Sequence, residues 1–173
     1  MATARKENQT IRVAEWMTET VLAVETFDSI AIARQLMAKH RVNQLPVLDD
    51  GHLVGIVTDR DIRDAYPTSM MINRAKEIDR FAEKITVEEV MTRDLFVVRP
   101  ETPLAAAVGL LRRHRIGALP VVKNRDLVGI ITRSDILDFV LSGGRAPAAE
   151  NGKKPGKKIT VEKPKSKRRR TAD

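Results

Sequence analysis

Apolar residues in this chain fall into short runs and helical spacings that occur twice in the same order. Val21 to Val24 is an apolar run between Thr18-Glu19-Thr20 and Glu25-Thr26, the pattern of a buried strand. Ile30, Ala33, Leu36, Met37 and His40 then keep helical spacing through Arg41, with Asp28 as the expected N-cap. Leu45 to Leu48 reads as a strand, Asp49-Asp50-Gly51 as a turn and Leu53 to Thr58 as the returning strand of a hairpin. From Asp59 a second helix carries Ile62 and Ala65, and a short lead-in, Val13 to Met17, precedes the whole. The unit is therefore strand, helix, strand, strand, helix.

Sliding the chain by 74 positions lays Val13–Asp64 on Val87–Asp138 without a gap, with 21 of 52 residues identical. Met17-Thr18 falls on Met91-Thr92, His40-Arg41 on His114-Arg115, and Leu45-Pro46-Val47 on Leu119-Pro120-Val121. A duplicated supersecondary unit predicts two copies that together complete a core, and a ligand groove that occurs twice. In the second copy Thr102-Pro103 predicts a cap residue followed by proline at the first helical position. Between the copies, Pro67 and Ser69 break the chain, and Ile72, Ala75, Ile78, Arg80 and Phe81 predict a connecting helix. The expected organisation is a flexible N-terminus (1–10), repeat 1 (11–66), a connecting helix or linker (67–84), repeat 2 (85–141) and a tail (142–173).

Composition refines this outline in three ways. With 42% hydrophobic residues but only 3% aromatic, the core has to be aliphatic. The absence of cysteine excludes disulfides, thiolate catalysis and Cys-ligated zinc. No apolar stretch approaches 18 residues and the first residues lack an apolar signal region, so a cytoplasmic protein without a membrane span is expected. The net charge of +8 resides wholly in residues 145–173, which hold 11 Lys/Arg and 3 Asp/Glu, whereas residues 1–144 hold 20 of each sign. A tail of that composition is expected to be disordered.

The chemistry centres on a doubled Gly-x-x-Thr-x-x-Asp: Gly55, Thr58 and Asp61, then Gly129, Thr132 and Asp135. Glycine late in a strand lets another backbone or a ligand approach closely. Threonine at the strand-to-helix junction sits beside first-turn N–H groups, which with the helix dipole attract anions. A carboxylate one turn later is an acceptor suited to the paired hydroxyls of a ribose. Thr-x-x-Asp is equally a capping box that needs no ligand, and a cap hydroxyl can also gain a phosphate partner.

The order Met-Thr, apolar strand, helix, Leu-Pro-Val strand and Leu-Val-Gly-Ile-Val-Thr-Asp-Arg-Asp-Ile resembles the CBS (cystathionine-beta-synthase) domain. Two copies in tandem, over residues 11–141, resemble a CBS pair or Bateman module. A narrower similarity is to stand-alone bacterial CBS proteins of the acetoin-utilisation type. The resemblance implies an α/β fold of two β-α-β-β-α repeats packed with pseudo-two-fold symmetry, and a homodimer formed through the CBS helices. It also implies regulatory binding of AMP, ADP, ATP or S-adenosylmethionine, with or without Mg2+, and no required cofactor. Carried over by position, it implies Thr18, Leu22, Val42, Asn43, Pro46, Gly55, Thr58, Arg60 and Asp61 for one cleft. For the other it implies Thr92, Phe96, Ile116, Gly117, Pro120, Gly129, Thr132, Arg133 and Asp135. The apolar members equally suit plain core packing.

Relatives that grip phosphates with His and Arg just before Leu-Pro-Val differ from this chain, which has Asn43-Gln44 and Gly117-Ala118 there. His40-Arg41 and His114-Arg115 end helices, where the dipole alone accounts for cations. Phosphate contacts are expected instead from Arg60, Arg63 or Arg133. Because the first cleft is richer in arginine, the clefts are expected to differ in affinity or ligand preference. Three histidines, His52 among them as a solvated turn residue, offer no metal-ligand spacing, and no nucleophile is paired with a base. The expectation is a regulatory module, not an enzyme, acting on an unidentified partner protein. The alternative is a dimeric scaffold whose Lys/Arg-rich tail binds nucleic acid or an acidic partner non-specifically.

Overall fold

The computed structural model describes residues 10–66 and 80–144. Residues 1–9, 67–79 and 145–173, which hold most of the expected N-terminal, connecting and tail segments, lie outside the described residues. Of the expected connecting helix, residues 80–82 are described and helical. The described chain forms two compact mixed α/β units, one of residues 20–66 and 80–95, the other of residues 10–19 and 96–144.

In the first unit the elements are β1 (Val24–Glu25), α1 (Ile30–His40), β2 (Gln44–Asp49), β3 (His52–Thr58), α2 (Asp59–Ala65) and α3 (Val87–Val90). The sheet order is β1-β2-β3, with β1 parallel to β2 and β2 antiparallel to β3. The apolar run Val21–Val24 buries Val21, Ala23 and Val24, yet only Val24 and Glu25 enter the ladder, opposite Val47 and Leu48. Burial rather than strand pairing accounts for the run. Asp28 is not the N-cap of α1. Its carboxylate accepts the Glu25 N–H at 2.9 Å in the preceding turn, which leaves Ser29 to cap by accepting from Ile32 N at 3.3 Å. Helix α1 ends where Arg41 turns left-handed.

The second unit contains α4 (Leu104–His114), β4 (Ala118–Lys123), β5 (Asp126–Thr132) and α5 (Arg133–Leu141). Here β4 and β5 form an antiparallel pair, and Val98 bridges Val121 in parallel as Val24 does Val47. The register shift at Val47/Leu48 recurs at Val121/Val122. Pro103 is the N-cap rather than the first helical residue: its ψ of 133° keeps it extended, so α4 begins at Leu104. The Thr102 hydroxyl instead accepts the Arg99 N–H at 2.9 Å.

Both cores are mainly aliphatic, as the composition requires. One gathers Val24, Ile30, Leu36, Met37, Leu45, Val47, Val57 and Ile62. The other gathers Val13, Val98, Leu104, Leu111, Leu119, Val121 and Ile131, with Trp16 meeting Phe139 edge to face at 5.2 Å. Each fully buried side chain of this size stabilises by about 1.5–3 kcal/mol, so these faces fix which side of each hairpin the helices cover.

The units do not coincide with the repeats, because the two lead-ins are exchanged. Thr18 bridges Ile130 on β5, and its counterpart Thr92 bridges Ile56 on β3. Farther along, Arg12 bridges Pro103 and Ser29 bridges Thr86. Each lead-in runs directly into the first strand of its own repeat. In the three-stranded sheet that strand lies at the edge remote from β3, and β3's free edge is taken by the lead-in of the other repeat.

Candidate ligand-binding sites

Both Gly-x-x-Thr-x-x-Asp motifs sit at a strand-to-helix junction and form complete capping boxes. Thr58 ends β3 in extended conformation. Its N–H and hydroxyl donate to Asp61 Oδ2 at 2.8 and 2.7 Å, and its Oγ1 accepts from Asp61 N at 3.2 Å. At the second junction Thr132 donates to Asp135 Oδ2 at 2.8 and 2.7 Å and accepts from Asp135 N at 3.4 Å. The capping reading of the motif is therefore physically realised. It orients each carboxylate over the first turn of its helix.

The two motif glycines are buried because the exchanged lead-ins lie against them. A Cβ on Gly55 would collide with Met91 Sδ and come within 3.2 Å of Thr92 O. On Gly129 it would lie 2.7 Å from Met17 Sδ and 3.2 Å from Thr18 O. Glycine here admits another backbone, as expected, although the visitor is the protein's own chain. Reciprocal bonds complete the contact: Ile56 N to Thr92 O at 3.0 Å and Thr92 N to Ile56 O at 2.9 Å, with 3.0 and 2.9 Å for Ile130 and Thr18.

This exchange corrects the grouping of two candidate residues. Thr18, expected with Thr58 and Asp61, instead donates its hydroxyl to Asp135 Oδ1 at 3.5 Å. Thr92, expected with Asp135, lies against Gly55 and Ile56. The Asp61 site thus comprises Gly55, Thr58, Asp61 and Thr92, and the Asp135 site comprises Gly129, Thr132, Asp135 and Thr18. Alignment of the repeats hides this, since each Met-Thr falls next to its own repeat in sequence.

The remaining candidates divide. Asn43 joins the Asp61 site through its carbonyl, which accepts the Asp59 N–H at 2.9 Å, and Pro46 pairs with Ile56 across the hairpin. Leu22 and Val42 are half-buried and pack against the apolar cluster. Gly117 accepts the Arg133 N–H at 3.1 Å, Ile116 O accepts from Arg133 Nε at 3.1 Å, and Pro120 pairs with Ile130. Phe96 differs from Leu22: it is 41% exposed and stacks on His114, ring centroids 3.8 Å apart and 27° between planes. The end-of-helix reading of His114 missed that pairing, which neither residue's local sequence signals. Arg60 and Arg63, expected at a phosphate, are held by Asp64 at 3.7 Å and Asp59 at 2.9 Å.

No cluster of three or more His, Cys, Asp or Glu able to hold a metal is found among the described residues, and none of their helices is long and apolar enough to cross a membrane.

Comparison with known proteins adds a second line of observation. The family model for the CBS domain matches residues 13–68 and 87–142. The chain is 33% identical over 137 residues to the CBS domain-containing protein YhcV of Bacillus subtilis, covering 79% of this chain and 91% of that one. It is 39% identical over 127 residues to a homoserine O-acetyltransferase of Methanococcoides burtonii; that match covers 72% of this chain but spans only 23% of the enzyme's length. A putative acetoin utilization protein (AcuB) from Vibrio cholerae superposes with a TM-score of 0.64 at 30% identity, covering 77% of this chain and 92% of that one. The CBS domain pair of protein MJ0100, in complex with 5'-methylthioadenosine and S-adenosyl-L-methionine, gives 0.64 at 29% identity, covering 79% and 99%. CBSX2 in complex with AMP gives 0.62 at 30%, covering 78% and 99%.

Proposed function

The chain belongs to the CBS domain family, and on that premise we propose that it is a regulatory module binding adenosine-containing ligands at the Asp61 and Asp135 sites. The observation that carries this reading is the doubled constellation itself. Each site sets a threonine hydroxyl and an aspartate at a helix start, with a second threonine delivered by the other repeat. An aspartate facing ribose hydroxyls suits AMP, ADP, ATP and S-adenosylmethionine alike, and a threonine at a helix start suits the phosphate that the first three carry. Complexes of similar CBS pairs with AMP, 5'-methylthioadenosine and S-adenosylmethionine support the ligand class.

Regulation would act by population shift: the ligand favours one arrangement of the module, and a partner protein reads the difference. A second copy of the chain is the expected first partner. On α5, Leu137, Val140 and Leu141 are 63%, 65% and 84% exposed at i, i+3 and i+4 spacing, an apolar face suited to a homodimer. The parallel reading of a scaffold with a nucleic-acid-binding tail draws on the 11 Lys/Arg of residues 145–173. It requires salt-sensitive binding that is lost on truncation after Gly144.

Thermal unfolding with AMP, ADP, ATP, S-adenosylmethionine, NAD and a GTP control, with and without Mg2+, tests the main reading. A ligand at about 100 times its Kd stabilises by roughly 2.7 kcal/mol, on the order of 5–10 °C for a chain of this size. Protein freed of co-purified nucleotide that melts unchanged with every ligand would leave both motifs as structural caps.

A further inference from the structure

The two sites carry opposite charges at one equivalent position. Asp59 and Arg133 are each the first residue of the helix that follows the motif threonine. Each donates its backbone N–H to the carbonyl just before the preceding strand pair, Asn43 O at 2.9 Å and Gly117 O at 3.1 Å. The backbone places them alike, and only the side chains differ.

At the Asp61 site the cations are already engaged on their own helix. Asp59 pairs with Arg63 at 2.9 Å and Asp64 with Arg60 at 3.7 Å, both at the surface of α2, the second pair's side chains being 83% and 73% exposed. A phosphate there would have Asp61 and the Asp59–Arg63 pair beside it, with no cation at the first helical position. At the Asp135 site Ser134 and Leu137 replace Arg60 and Arg63, and the cation stands at the junction itself. Arg133 Nε is anchored on Ile116 O at 3.1 Å, which fixes the guanidinium beside the motif.

We propose that the sites divide their ligands by charge. The Asp135 site takes a phosphorylated adenosine, and the Asp61 site takes an adenosine ligand without phosphate, a nucleoside or a sulfonium nucleoside. This reverses the preference expected from counting arginines along the sequence, and it rests on the nucleotide reading above. One unit charge beside a phosphate changes affinity on the order of fivefold even under aqueous screening.

The test is calorimetric titration of the full chain with AMP and with adenosine as probes. Arg133→Ala should weaken AMP at least fivefold and leave adenosine within twofold. Asp59→Arg should give the Asp61 site an AMP affinity it lacks. Asp135→Asn should abolish the AMP site and Asp61→Asn the adenosine site, the amide oxygen preserving an acceptor for the cap. Arg125→Ala, at the far hairpin turn, controls for net charge and should change neither titration. Equal losses of AMP and adenosine in Arg133→Ala, or unchanged AMP binding, would overturn the division by charge while the nucleotide reading stood. Failure of the unsubstituted protein to bind either probe would remove both.

Discussion

The hydroxyl of Thr18 donates to Oδ1 of Asp135, a residue 117 positions away, at 3.5 Å. That bond joins the lead-in of one repeat to the motif of the other, and it gives the two motif aspartates different surroundings. Asp135 is 2% exposed, whereas Asp61 is half-buried.

Removing each carboxylate should therefore cost unequal amounts. Asp61→Ala loses a helix cap, about 1 kcal/mol. Asp135→Ala also strips partners from a buried polar cluster and should cost about 2–3 kcal/mol. Urea unfolding of the two variants measures the difference, and equal costs would contradict the asymmetry.

Gly55→Ala and Gly129→Ala should each destabilise by about 1–3 kcal/mol, because the new methyl overpacks a closed contact. The methionine tips can swing away, but the carbonyls of Thr92 and Thr18, 3.2 Å from the added Cβ, belong to paired backbone. Shortening Met91 to Ala alongside Gly55→Ala should recover only part of the loss in a double-mutant cycle.

The hairpin turns offer a stabilising change. Asp50-Gly51 and Asn124-Arg125 both take positive φ at their two central residues, the geometry that suits a two-residue hairpin loop. Arg125 holds φ 74° where its counterpart is a glycine at 82°. Arg125→Gly should raise stability by about 1 kcal/mol, and Gly51→Ala should lower it by a similar amount. Differential scanning calorimetry of both variants checks the pair of signs.

A pH dependence arises at α3. Glu89 is held below the ordinary carboxylate range, first by the Thr86 backbone N–H and then by its hydroxyl, at 2.7 and 2.9 Å. A depressed carboxyl contributes stability that is present above its unfolded pKa and is lost as pH falls through the folded one. Thr86→Ala should move the Glu89 titration upward in NMR, toward the ordinary value, and an unmoved midpoint would contradict the hydroxyl's share.

The repeats, the hairpins, the two amphipathic helices and the motif residues were legible because each depends on local spacing. Gly55, Thr58 and Asp61 are fixed by one strand end and one helix start, so sequence places them together. The exchange of lead-ins was not legible, since pairing Thr18 with Ile130 instead of Ile56 leaves every local pattern unchanged. The misplaced cap at Asp28 has a similar origin: Asp28 and Ser29 are adjacent cap formers, and the turn at Glu25 claimed the first. Counting arginines also leaves out that Asp59 and Asp64 stand one helical turn from Arg63 and Arg60 on α2.

The exchanged lead-ins also impose an order in time. The bridge Ile56–Thr92 closes a loop of 36 residues, whereas its symmetric counterpart Thr18–Ile130 closes one of 112. On logarithmic loop-closure entropy the longer bridge costs about 1 kcal/mol more to form. The unit drawn from one continuous stretch of chain can mature while the other still waits for its lead-in and its hairpin to meet from distant parts of the chain. Pulse-labelled hydrogen exchange should find Ile56 protected before Ile130. Two units built from the same repeat would then be unequal in their folding histories, and a nascent chain would hold its first repeat's sheet edge open until Thr92 had been synthesised.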